Sequence, residues 1–345
     1  MKKGLSILLV SAVIMGLTLS LFGVLVSQAA PVEKQQGQKR EVPKPIPATN
    51  IEVVKKVFSE DMGSIKGKPS PPPKTGGAAT GILGDYPVTG TKYAVVIGIC
   101  DYPGEDYDIC WSDGDSVNMY EALTTLYGYD PANVYLLRDT YPDHPDITDG
   151  AATYDNILQA VNEIRDKEVA VDEVMFFFSG HGGRVEDISG DEADGKDEVL
   201  IVHNGDAIVG IPDDLLVSWF NDFETTRIAF IFDTCLAGGQ NDVAANGRVI
   251  SMATGENQSA YVYSTGDSTT GELGEGVFSR LFVNEGMLQG KADKYDHGYR
   301  TNPETLGEDV VVEEAFDYAK ANIPPYLKVR QKPVISDNFL NDLLL

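Results

Sequence analysis

The chain is poor in cysteine, histidine and tryptophan, and short of positive charge. Three cysteines in 345 residues are too few for a disulfide scaffold. No HExxH pattern occurs and no cysteine cluster, which disfavours a zinc enzyme. The chain has 27 Lys/Arg against 53 Asp/Glu, a formal charge of −26, which argues against binding nucleic acid through a basic face. There is no GxxxxGK[ST] loop and no GxGxxG after the first strand, so no organic cofactor is expected. No repeat of 20–50 residues is visible. Thirty-five glycines and 18 prolines exclude one long helical bundle, while 42% hydrophobic residues suffice for a packed core.

What charge there is lies unevenly. Residues 1–85 carry +5 and residues 86–345 carry −31. Acids on that scale serve solubility, or form a cation site and a pocket for a basic substrate. The chain opens Met1-Lys2-Lys3-Gly4, runs apolar from Leu5 to Val26, and continues Ser27-Gln28-Ala29-Ala30. This reads as a secretory signal cut after Ala29, or as a retained anchor that tethers the protein to a membrane. Export to the outer face of a membrane, or secretion, is expected either way. Residues 30–85 hold Pro43, Pro45, Pro47, Pro69 and Pro71-Pro72-Pro73. They read as a spacer with one helical candidate, Ile51–Asp61, or as a pro-segment covering a site.

From residue 86 onward, strand alternates with helix. Tyr93–Ile99, Asn133–Arg138, Asp172–Ser179 and Arg227–Phe232 are apolar runs of buried parallel type, with Arg248–Ala253 a fifth and Pro333–Ser336 a last strand. Glu198–His203 reads as one arm of a hairpin. Helices are expected over Asp113–Tyr127, Thr153–Asp166, Asp213–Phe220, Val277–Leu288 and Val310–Ala321. The fold class is α/β, a parallel sheet covered on both faces, with ligands beyond the carboxyl ends of its strands.

Two strand ends stand out. One reads Ser179-Gly180-His181-Gly182-Gly183, the other Asp233-Thr234-Cys235-Leu236-Ala237-Gly238-Gly239. Each delivers a reactive side chain into a turn of small residues. On neighbouring strands, His181 and Cys235 would face each other across an open cleft. A thiol is mostly protonated at neutral pH, and a nearby base raises the thiolate fraction.

SGHGG, followed 54 residues after its His by the Cys of DTC, resembles the caspase-like cysteine peptidases, in particular the metacaspase and orthocaspase branch. The likeness runs from about Tyr93 to Asn338. It implies an α/β/α sandwich with a mainly parallel central sheet, and a cysteine endopeptidase acting on protein or peptide substrates through a His181/Cys235 dyad. By the same resemblance, the backbone N–H groups of Gly182 and Cys235 hold the oxyanion. Asp115 and Asp233 form a pocket for the Arg or Lys preceding the cut. Asp197, Asp213, Asp214 and Asp242 form a calcium site. Self-cleavage is expected beyond Cys235, with Arg248, Lys291 and Lys294 as candidates. The competing reading from another class is a catalytically silent caspase-like binding module.

The remaining candidates carry less. Asp115 has the alternative reading of a helix-start acid, and Asp233 that of a turn cap. The acid-rich loop 186–198 does not fit EF-hand spacing, and Asp293–Asp296 with Gly298 reads as a turn. Cys100 and Cys110 form a disulfide or pack as two free thiols. His144, His203 and His297 are expected at the surface. A monomer is expected.

Overall fold

The computed structural model describes residues 45–58, 70–71, 77–85, 89–109, 111–139, 147–187, 189–190, 192–263, 274–293, 295 and 310–345. The N-terminal apolar run lies outside them. No helix among the described residues is long and apolar enough to cross a membrane.

Three short strands come first: β1 (Ile46–Pro47), β2 (Glu52–Val54) and β3 (Val57–Phe58). Then follow β4 (Lys92–Gly98), α1 (Trp111–Thr125), β5 (Val134–Arg138), α2 (Tyr154–Lys167) and β6 (Glu173–Ser179). A block of β7 (Gly182–Glu186), β8 (Lys196–His203) and β9 (Ile208–Pro212) leads into α3 (Asp213–Phe220), β10 (Ile228–Asp233) and β11 (Arg248–Met252). The chain ends through β12 (Tyr261–Tyr263), β13 (Glu275–Gly276), α4 (Val277–Ser279), α5 (Val312–Asn322) and β14 (Val334–Asp337).

The main sheet has the order β14-β11-β10-β6-β4-β5. Its five inner-chain strands run parallel, and only β14 is antiparallel, on β11. Alternation along the strands sorts side chains to two cores. Ala94, Val96, Met175 and Phe177 pack with Met119 and Leu123 of α1 and Phe316 of α5. Val95, Ile97, Phe176 and Phe178 pack with Ile157 and Val161 of α2 and Leu216 of α3. Helices thus cover both faces, as the alternating sequence predicts.

Most elements fall within two residues of their expected bounds. Thr153 caps α2, its hydroxyl accepting from the Asn156 N–H. Glu198–His203 is one arm of a hairpin as expected, β8 pairing antiparallel with β9 within a sheet of order β1-β9-β8-β7-β2. Two differences matter. Val277–Leu288 starts as α4 and continues as a π-helical stretch, Arg280–Leu288. Where a helix is expected over Ile51–Asp61, the described residues 51–58 form β2 and β3 instead. Val53, Val54 and Val57 are β-branched, and pairing with β7 and β12 uses that stiffness where an isolated helix would not. Residues 46–58 are therefore built into two sheets.

Candidate active site

Strand β10 pairs in parallel with β6, Asp233 opposite Ser179. His181 and Cys235 each lie two residues further on, so both leave the sheet at the same edge. The turns approach closely. The Gly180 N–H donates to the Asp233 carbonyl at 3.3 Å. A Cβ on Gly182 would stand 2.1 Å from the Cys235 carbonyl oxygen, so only glycine fits beside the cysteine. Leu236 holds φ at 60°, a left-handed conformation costing a non-glycine residue about 1–2 kcal/mol. Its N–H donates to the Gln258 carbonyl at 2.8 Å, which helps fix that bend directly after the sulfur.

The imidazole is oriented from three sides. Its Nδ1 accepts the Lys56 backbone N–H at 3.0 Å. The ring proton therefore sits on Nε2 and is donated to the Tyr107 carbonyl at 2.8 Å. Tyr102 stacks on the ring, centroids 5.1 Å apart, and its hydroxyl accepts the His181 N–H. The Cys235 sulfur accepts the Ala260 N–H at 3.2 Å. Both reactive side chains are only 1% exposed, contrary to the open cleft expected. Burial pushes the imidazole down to about 4 and the thiol up to about 11. The dyad is held neutral on both members.

What covers it is the N-terminal strap of β2 and β3. Val54 pairs with Gly182 across β2 and β7. Val57 donates its N–H to the Ala260 carbonyl at 2.9 Å as β3 joins β12. Between these anchors the Lys56 side chain drops into a buried acidic pocket. Its Nζ lies 3.0 Å from Asp233 Oδ1 and 2.9 Å from Ser179 Oγ. Asp115 and Asp233, expected as pocket acids, line this one cavity. Ser179 donates to Asp115 Oδ2 at 2.7 Å, and the Gly276 N–H reaches the same carboxylate at 3.0 Å. Ser279 donates its N–H and hydroxyl to Asp233 Oδ2 at 2.8 and 2.7 Å. Burial drives the Asp115 carboxyl well above the usual range, the Lys56 charge pulls it back, and Asp233 adds to the rise. A Cβ on Gly276 would meet Asp233 Oδ2 at 2.1 Å, so glycine is required in the pocket wall.

Residues 92–244 match the family profile described as "Metacaspase, peptidase C14 domain". That stretch, which includes His181 and Cys235, is thus similar to a metacaspase peptidase domain. Metacaspase-1 of Kluyveromyces lactis is 30% identical over 196 residues, 53% of this chain and 44% of that protein. Metacaspase-1 of Pyricularia oryzae is 32% identical over 157 residues, 45% of this chain and 38% of that protein. Metacaspase-1 of Candida albicans is 30% identical over 232 residues, 62% of this chain and 50% of that protein. The chain spans half or less of the length of these relatives.

A second acidic group sits at the start of α3. Carboxylate oxygens of Glu192, Asp213 and Asp242 lie within 4.8 Å of one another. Asp213 Oδ1 accepts the Asp214 N–H, whereas Oδ2 is buried without a hydrogen-bond partner. Burial, helped by the neighbouring acids Asp197, Asp242 and Glu198, pushes this carboxyl up to about 8. Of the four expected ligands, Asp213 and Asp242 thus converge. Asp197 is a buried neighbour on β8, and Asp214 is half-buried outside the group. Glu192 was not expected; the irregular spacing of the loop hid which of its acids turns inward.

Three other expectations need correction or placement. Arg248 opens β11 inside the sheet, 6% exposed, its guanidinium on the carbonyls of Val243 and Phe220. The bond after it pairs with β10 and is not presented for cleavage. His203 is buried, not superficial, because its Nε2 meets Asp139 Oδ1 at 3.2 Å at the end of β8. Cys100 is disulfide-bonded and Cys235 is free. Lys291 is exposed. Lys294, Cys110, His144 and His297 lie outside the described residues.

Sequence reasoning missed Lys56, Tyr102, the Tyr107 carbonyl and Gly276. A basic pair flanked by valines, Val53-Val54-Lys55-Lys56-Val57, is the one local signal that pointed to the strap. Backbone carbonyls and pocket glycines leave no such trace.

Proposed function

We propose that this chain is an exported cysteine endopeptidase that cuts after Arg or Lys and is stored with its cleft filled by its own strap. The observation that carries the reading is Lys56. A primary ammonium sits fully buried against Asp233 and Ser179, beside the sulfur and imidazole. A pocket that seats a lysine this way suits a substrate lysine or arginine.

Once the strap has left, Nδ1 of His181 is free to take the Cys235 proton, while the Tyr107 carbonyl keeps the other ring proton on Nε2. The thiolate attacks the carbonyl carbon after the basic residue. The oxyanion is assigned to the N–H groups of Gly182 and Cys235. Imidazolium gives its proton to the departing amine. Water, deprotonated by the same ring, then cleaves the thioester.

Glu192, Asp213 and Asp242 are proposed to hold calcium. Carboxylate oxygens suit a hard cation, and the unpartnered Asp213 Oδ2 lacks only a positive partner. Bound there, the cation would supply charge neutralisation to a buried acidic cluster. Support for export comes from the leading Lys2-Lys3 and apolar run, together with the disulfide at Cys100.

An acyloxymethyl ketone carrying Arg tests the reading. Covalent labelling of Cys235, abolished in Cys235→Ala and absent with an Asp-containing probe, is the expected result. Preferential labelling by the Asp probe would overturn the pocket assignment.

A further inference from the structure

One stretch breaks the electrostatic pattern of the chain. Residues 86–345 carry −31, yet from Tyr318 to Ser336 there are four cations, Lys320, Lys328, Arg330 and Lys332, and no acid. Three of them fall within five residues, which happens nowhere else from residue 86 on. The chain leaves α5 here and turns tightly. The Arg330 and Gln331 N–H groups both donate to the Leu327 carbonyl, and the Leu327 N–H donates to that of Pro324. Leu327 and Gln331 thereby face inward and are buried, which turns the residues around them to solvent. Tyr326 is 45% exposed and Val329 73%, and Lys328, Arg330 and Lys332 are exposed beside them. Lys328 Nζ donates to the Ala321 carbonyl at 3.0 Å, and Lys320 Nζ lies 5.4 Å from the centroid of the Phe316 ring.

This basic turn is fastened to the segment behind the nucleophile. The Lys332 N–H donates to Gln258 Oε1 at 3.1 Å, and Gln331 Oε1 accepts the Tyr261 N–H at 3.1 Å. Between those two anchors lies Ala260, whose N–H holds the Cys235 sulfur. The Gln258 carbonyl takes the Leu236 N–H. Directly after the turn, Val334 pairs with Met252 at the carboxyl end of β11. The turn therefore stands on the sheet edge from which His181 and Cys235 project.

Place and charge together select the partner. The acidic bulk of the chain repels acidic ligands everywhere except at this rim, where cations surround an exposed tyrosine and valine spaced three apart. An acidic peptide segment with apolar side chains is the complement. An anionic lipid surface suits it less, because the acidic bulk opposes a whole plane of negative charge, whereas a peptide meets the turn alone. We propose that the turn from Tyr326 to Lys332 is an exosite that holds an acidic segment of the substrate protein, apart from the bond that is cut. This rests on the reading of the site as an Arg/Lys-directed peptidase, and it deepens that reading into a two-part requirement: a basic residue for the pocket and an acidic run for the rim.

The test uses the full chain in the state that the Arg probe labels. Three Arg peptides of equal length are compared: one with a run of Glu well before the cut, one with the run well after it, and one with Ser in place of Glu. At low salt, one of the acidic peptides should exceed the Ser peptide about three- to tenfold in kcat/KM, as the sum of several exposed ion pairs. The ratio should fall toward one at about 1 M salt. Arg330→Gln/Lys332→Gln should abolish the gain and keep the rate on the Ser peptide. Arg165→Gln/Lys167→Gln, on α2 across the sheet from α5, should keep the gain. Acidic peptides cut no faster than the Ser peptide, or a gain that survives Arg330→Gln/Lys332→Gln, would overturn the exosite. So would the absence of any acidic gain together with sedimentation on phosphatidylglycerol vesicles that the same pair of substitutions abolishes, which assigns the turn to lipid. Failure to cut the Ser peptide, with Cys235 unlabelled by the Arg probe, would instead overturn the peptidase reading.

Discussion

At the scale of single residues, the site depends on where glycine is compulsory. Gly182 lets the His turn lie against the Cys turn, and Gly276 lets two carboxylates share one pocket. Replacing Gly276 by Ala puts a methyl group 2.1 Å from Asp233 Oδ2, so that carboxylate must move. A displacement near 1 Å in a substrate-binding group costs about a hundredfold. Gly276→Ala should therefore lower kcat/KM on Arg and Lys peptides by about that factor, with Cys235 still open to iodoacetamide in the strap-free enzyme. Unchanged steady-state kinetics would show that this pocket does not bind the substrate. Lys56 acts at the same scale in the opposite sense. Lys56→Ala leaves Asp115 and Asp233 without their cation, a loss on the order of 3 kcal/mol for a buried pair. The strap should loosen and the sulfur of the uncut chain should react faster with a thiol reagent than in wild type.

The strap is the element that covers His181 and Cys235. It joins two sheets at once, through β2 on β7 and β3 on β12, and takes up the His181 lone pair. That contact needs a neutral ring. Burial lowers the His181 pKa from 6.5 to about 4, so the covered state binds the proton less readily than an open chain does. A depressed pKa contributes stability that is complete above 6.5 and is lost as pH falls from there toward 4, worth up to about 3 kcal/mol. Amide protection of Lys56 and Val57 in the Cys235→Ala chain, measured by hydrogen exchange, should fall between pH 6.5 and 4. Constant protection factors across that window would count against the hydrogen bond to Nδ1.

For the whole molecule, the excess of negative charge is concentrated by folding rather than spread. Asp213, from α3, meets acids from the loop before β8 and the turn after Cys235. Its carboxyl pKa is raised to about 8, so its contribution to stability is present at low pH and lost as pH rises through that value. In chelator, Asp213→Asn should melt higher than wild type at pH 8. Added calcium should raise the wild-type Tm and leave the variant's nearly unchanged. A wild-type Tm indifferent to calcium would remove the proposed metal from this cluster.

Some of this protein was already fixed by the order of its residues. Apolar runs such as Val174–Phe178 and the helical spacing between them dictate a covered parallel sheet, because no other arrangement buries both faces. His181 and Cys235 were legible because each follows a core strand and sits in a turn of small residues. Asp115 and Asp233 were legible only through the family likeness. Tertiary structure alone decided that Lys56 fills their pocket, that the sulfur is sealed, that Glu192 joins Asp213 and that Arg248 is locked in a strand. The physical reason is range. Periodicity and turn chemistry act over a few residues, whereas Lys56 meets His181 across 125 positions and Asp233 across still more. Contacts of that separation exist only once the sheet has formed.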